Sequence, residues 1–336
     1  IIIIKYSSVF IMTTKVNDYF LNDILKVLLA IGVVLIHSLP VTDSVFINSV
    51  IYSICRIGVP LFFCFSGFFY SKSTSILHFI KRILILYIFW IIVQFPLVLN
   101  QFTSLTLLQA IQKIVFVSTF PILWYLTSLI WCAILINVFH RFKPLAIFFI
   151  AVFLYVMCVT EFGWYYNVFQ GTWIEEFNGI YKVIFYSIKY SFPQGFVFFV
   201  IGYYGKYFVR LNKTIVCLLV IVGLLCYVAE SIYLYDKSAL ESTVSMFSLP
   251  VLIFSLFVLI LRSCKVTHYF NAGRLCRKVS TLIYLAHPVL LIMLSKYCGL
   301  MGISRFIVTI LLFIPLSYAY FSLKKYKYFK WLKYAC

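Results

Sequence analysis

The chain is poor in charge and poorest in acid. Nine Asp and Glu stand against 28 Lys and Arg, and charged residues make up only 11% of 336. A soluble domain needs a partly polar exterior. A chain that is 64% hydrophobic with a mean hydropathy of +1.05 cannot supply one. The ten cysteines form no C-x-x-C pair and most sit inside apolar runs, so they read as small buried hydrophobes. No disulfide framework follows from them, and no metal is expected. Internal repeats, low-complexity tracts and nucleic-acid-binding modules are also missing, so the net charge of +19 does not point to nucleic acid.

What the chain does have is long apolar runs, and these make the bilayer the fitting solvent. In lipid every backbone polar group needs a partner within the structure, which leaves helices or closed barrels. A barrel strand would alternate polar and apolar residues, and these runs do not. The expected fold is therefore all-α, a polytopic bundle of about ten transmembrane helices. The spans are placed at 20–40, 46–70, 79–99, 119–139, 144–160, 191–209, 213–234, 244–262, 280–298 and 303–322. The connector 161–190, with Trp164, Tyr165, Tyr166 and Trp173, reads as an interfacial or re-entrant lid.

The basic residues orient this map. With the N-terminus inside, twenty Lys and Arg fall in inside segments and six in outside segments, which is the bias that sets membrane topology. Both termini are then cytoplasmic, and the expected location is a bacterial plasma (inner) membrane. Residues 1–11, which precede Met12, are expected to be a spurious extension. Residues 12–322 form one membrane domain, and 323–336 a basic cytoplasmic tail that lies on anionic lipid headgroups.

Two basic residues, Lys26 and Arg56, fall inside spans, where charge is costly and points to function. Lys26 and His37 are eleven residues apart, close to three helical turns. They therefore share a face about 16 Å long, with Asp23 near the same stripe. The same residues would also suit interfacial flanking charges, with Lys26 snorkelling and His37 hydrogen-bonded in the bundle. Arg56 lies too deep to snorkel and needs an anionic partner, a polar cavity or a ligand. A structural ion pair is the alternative. Pro60 predicts a kink, and Ser66-Gly67 allows close approach of backbone or ligand. Trp124-Tyr125 opens the fourth span, where it also suits an aromatic belt. Tyr284 and His287, the latter followed by Pro288, lie in the ninth, where His287 could equally be a buried structural histidine.

Taken in order, these segments resemble the acyltransferase 3 family of integral membrane acyltransferases, which act on bacterial surface glycans. The likeness rests on Lys26 and His37, on Arg56-x-x-Val59-Pro60-Leu61-Phe62-Phe63-x-x-Ser66-Gly67-Phe68, on Trp124-Tyr125-Leu126 and on Tyr284-Leu285-x-His287. The family usually has Arg where Lys26 stands; Lys keeps the charge and loses the bidentate fork. Some members carry an extra extracytoplasmic domain, for which no room is expected after the tenth span. The resemblance implies transfer of an acyl group, most often acetyl, from cytoplasmic acetyl-CoA to a sugar hydroxyl. The acceptor would be an O-antigen or another polysaccharide, or a lipid-linked sugar. His37 and Arg56 would be catalytic. Asp23, Lys26, Ser66 and Gly67 would meet the donor, and Trp124, Tyr125, Tyr284 and His287 the acceptor. His37 would serve as general base or carry the acyl group, and Arg56 would stabilise the oxyanion. A transporter or flippase for a glycan or small anion is the rival reading.

Overall fold

The computed structural model describes residues 20–336 except 74, 121, 239–244 and 264–269, with backbone alone at 270, 271, 330 and 333. The expectation for residues 1–11 lies outside the described residues. Among those described there are helices and no strands. They run α1 (Phe20–Ile36), α2 (Val45–Cys55), α3 (Gly58–Tyr70), α4 (Ile76–Gln94), α5 (Leu107–Gln112), α6 (Trp124–Val138), α7 (Pro144–Val159), α8 (Gly163–Phe169), α9 (Trp173–Phe185), α10 (Phe192–Tyr203), α11 (Gly205–Phe208), α12 (Lys213–Asp236), α13 (Leu249–Ser263), α14 (Phe270–Cys298) and α15 (Gly302–Leu323).

Five of these stretches are long and apolar enough to cross a bilayer: Val45–Tyr70, Ile76–Leu97, Lys213–Asp236, Ala272–Cys298 and Gly302–Leu323. There are six if α7 and α8, bent by 95° at their junction, count as one. The expected count of about ten goes beyond these. The remaining expected spans hold helices such as α6, with 15 residues, and α10, with 12. At 1.5 Å per residue these are shorter than the roughly 30 Å hydrocarbon core.

Two expected spans are built differently from their sequence reading. The second is broken into α2 and α3 at Arg56-Ile57. Pro60 has no N–H to offer the Arg56 carbonyl. The helix therefore stops there and restarts so that Pro60 falls in the first turn of α3, where a missing donor costs nothing. The ninth span begins ten residues early, so Arg274, Arg277 and Lys278 are helical. The connector 161–190 folds into α8 and α9. Asn178 donates to the Met157 carbonyl and to Thr160 Oγ1, both at 3.2 Å, and Lys182 pairs with Glu161 at 2.7 Å, fastening α9 to the end of α7.

α10 is the centre of the bundle, packed on α3, α6 and α7. Its approach to α3 is set by glycine. A Cβ on Gly202 would lie 1.9 Å from the Cys64 carbonyl oxygen, and one on Gly67 would lie 2.1 Å from that of Phe199. Gly202→Ala is therefore expected to cost about 1–3 kcal/mol of stability, the scale of overpacking. Gly179→Ala, where an added Cβ meets nothing within 4 Å, should be close to neutral. Thermal unfolding of the two variants in detergent checks this. α1 packs along α14, and α14 along α15.

Candidate active site

Two cavities lie between α1, α3, α6 and α14, and their linings touch. The first, about 440 Å³, is lined by Lys26, Ser66, Arg82, Tyr125, Arg277 and Tyr284 among others. The second, about 170 Å³, is lined by His37, Tyr52, Arg56, Trp124, Tyr190 and Tyr284 among others. Tyr284 borders both. With Phe62 and Tyr125 it forms an aromatic partition, its ring centroid 5.7 Å from Phe62 and 5.4 Å from Tyr125.

The cations of the first cavity are held by one buried carboxylate. Asp23 is completely buried and accepts from Lys26 Nζ at 3.1 Å and from Arg277 Nη1. Ser280 Oγ donates to the Lys26 carbonyl at 3.0 Å, so α1 and α14 are tied twice in adjacent turns. The Lys26 ammonium also lies 4.7 Å from the centre of the Phe69 ring. Arg82 of α4 adds a third cation to the lining. Ser66 is hydrogen-bonded to the Tyr125 hydroxyl at 2.8 Å.

In the second cavity the guanidinium of Arg56 lies over the Tyr52 ring, 4.1 Å from its centre. Arg56 sits at the α2–α3 break and is 6% exposed. His37 follows the last residue of α1, in the turn that closes it. Its ring centroid is 5.4 Å from that of His287. His287 is fully buried, and its Nδ1 lies 3.0 Å from the Ile283 carbonyl. A carbonyl can only accept, so Nδ1 carries the proton and Nε2 of the neutral ring is left as a bare acceptor. Among the described residues nothing donates to it.

The structure brings together most of the residues singled out by sequence. His37, Arg56 and Trp124 meet at one cavity, Lys26, Ser66 and Tyr125 at the other, and Tyr284 at both; His287 stands against His37. Asp23 and Gly67 are placed elsewhere. Asp23 is buried beneath the cations, and Gly67 faces the backbone of α10. Sequence reasoning missed Arg82, Arg277, Tyr52 and Tyr190. For Arg277 a signal was there: Arg277, Ser280, Tyr284 and His287 recur at steps of three, four and three, one helix face.

The family model described as an acyltransferase domain matches residues 22–322. Two curated relatives share weaker likeness. One is named "Amino-acid racemase", from Enterococcus faecalis, 24% identical over 90% of this chain and 46% of its own length. The other is named "Serine/alanine racemase", from Enterococcus gallinarum, 28% identical over 79% of this chain and 40% of its own. The chain thus matches less than half the length of either. No solved structure matches.

Proposed function

Because the chain belongs to the acyltransferase family whose domain covers residues 22–322, we propose that it is a membrane O-acyltransferase. It moves an acyl group, acetyl in the simplest case, from cytoplasmic acyl-CoA to a sugar hydroxyl of a surface polysaccharide or its lipid-linked precursor. In this reading the bundle crosses a bacterial inner membrane about ten times with both termini in the cytoplasm, as the bias of twenty inside cations over six outside suggests. The Lys26 cavity then opens inward and the His37 cavity outward.

The observation that carries the proposal is the pair of cavities meeting at Tyr284. Lys26, Arg82 and Arg277 suit the phosphates of CoA, and the aromatic wall beyond them suits its uncharged arm. His37 takes the proton of the acceptor hydroxyl as its oxygen attacks the thioester carbonyl. Arg56 faces the charge that develops on the carbonyl oxygen. When the C–S bond breaks, the same proton passes to the CoA sulfur. His287 holds the His37 ring from behind.

Purified protein in nanodiscs, given labelled acetyl-CoA, tests the proposal. Acceptor-dependent release of CoA supports it. Transport of a glycan without CoA release would favour the flippase reading. Interconversion of L- and D-serine without CoA release would align the chain with what its longer relatives are named for. The partition gives a sharper check. Tyr284→Trp is expected to slow transfer by about ten- to a hundredfold, the scale of a misplaced reacting group, and by more than it weakens binding of CoA at the cations of the Lys26 cavity. Single-turnover kinetics beside CoA titration separate the two effects.

A further inference from the structure

A third cavity, about 430 Å³, lies on the other side of His37. His37 lines it together with Arg305 and Lys296, and its apolar wall includes Phe120, Leu291 and Ile292. We infer that this cavity receives the acceptor's phosphate, carried on a lipid that enters between the ends of α14 and α15. The inference deepens the acyltransferase reading and rests on it for the identity of His37 as the reacting base.

Three observations converge. First, the cavity is cationic: none of its lining residues is acidic, and two of the six basic residues on the proposed outer side meet there. Second, Arg305 is set rather than loose. Its Nη2 donates to the His37 carbonyl at 3.0 Å, while its Nε is buried with no hydrogen-bond partner among the described residues. A buried guanidinium nitrogen beside a cavity is a donor waiting for an anion, and phosphate fits the fork of Arg with Lys adding a point charge. Third, the mouth adjoins apolar surface. Met293 and Tyr297 in the last turns of α14, and Ile303 and Ile307 in the first turns of α15, are all exposed. A polyprenyl chain can lie along that surface while its phosphate reaches Arg305 and the attached sugar reaches His37, which is shared with the catalytic cavity. A free anionic sugar would need the cations but not the apolar wall.

The test uses the full chain in neutral detergent and native mass spectrometry, with no acyl donor present. The probes are a long-chain polyprenyl phosphate, the uncharged polyprenol of equal length, inorganic phosphate and phosphatidylglycerol. The polyprenyl phosphate is expected to bind one to one, at least about tenfold tighter than each of the others. Lys296→Gln and Arg305→Gln should each weaken it about tenfold or more, the worth of a charged hydrogen bond. Lys296 is exposed and lies over the Tyr297 ring of its own helix, so Lys296→Gln keeps the test sound if Arg305→Gln disturbs the fold. Unchanged binding by folded Lys296→Gln overturns the inference. Equal binding of the uncharged polyprenol, of phosphatidylglycerol or of inorganic phosphate also overturns it, the last by removing the lipid. A protein that binds polyprenyl phosphate yet never releases CoA supports the site and overturns the enzyme reading. One that acylates soluble sugars and ignores polyprenyl phosphate overturns the site alone.

Discussion

His37→Ala is expected to lower acyl transfer by about 10²–10⁴-fold, the range a positioned general base supplies. The protein should still fold and insert. His37 lies in the turn after α1, and its ring is exposed to cavities on both sides, so truncating it removes little packing. Binding of CoA should survive, because the three cations that suit its phosphates line the other cavity. His287→Ala should cost less in rate and more in stability. That ring is fully buried, and its effect reaches the reaction only through the orientation of its neighbour. Single-turnover rates and melting temperatures for the two variants, measured side by side, check this. Equal loss of rate in both would move His287 into direct contact with substrate. An unchanged rate in folded His37→Ala would remove the base from the mechanism.

Asp23→Ala is expected to be the most destabilising single change in the cation cluster, by about 3–5 kcal/mol. The carboxylate is completely buried, and its two oxygens are divided between Lys26 and Arg277. Removing it leaves the buried Lys26 ammonium facing the half-exposed Arg277 guanidinium and cuts a tie between α1 and α14. Asp23→Asn keeps the shape and should recover part of the loss. Asp23→Ala combined with Arg277→Gln should be less damaged than the sum of the singles, since the second change removes one of the stranded charges. Thermal unfolding in detergent, across that double-mutant cycle, measures the coupling. Additive effects would show that Asp23 does not hold the cluster.

Much of the site was legible because it is periodic. The eleven-residue step from Lys26 to His37 is a property of one helix, and so is the membrane cost of Arg56. What the sequence hid comes from tertiary packing. Arg277 reads as a loop charge until α14 is seen to start at Phe270, which carries the guanidinium onto a helix face beside Asp23. Tyr190 ends a connector with no span of its own, and its N–H donates to Gln194 Oε1 of α10, beside it on the lining of the His37 cavity. The kink expected at Pro60 appears a turn earlier, because proline harms the carbonyl four residues before it rather than its own position. Gly67 was marked by Ser66-Gly67 as a place of close approach. Close approach is what it permits, but to the backbone of α10.

That displaced kink has an electrical side. A helix interrupted inside the bundle is also an interrupted dipole. α3 begins at Gly58, and Val59 and Pro60 of its first turn line the same cavity as His37 and Arg56. The first turn of a helix carries roughly half a positive charge in its unspent N–H groups. One proline thus sets two sources of positive potential on one cavity, a guanidinium and a helix start. The helix start, unlike a side chain, cannot swing away.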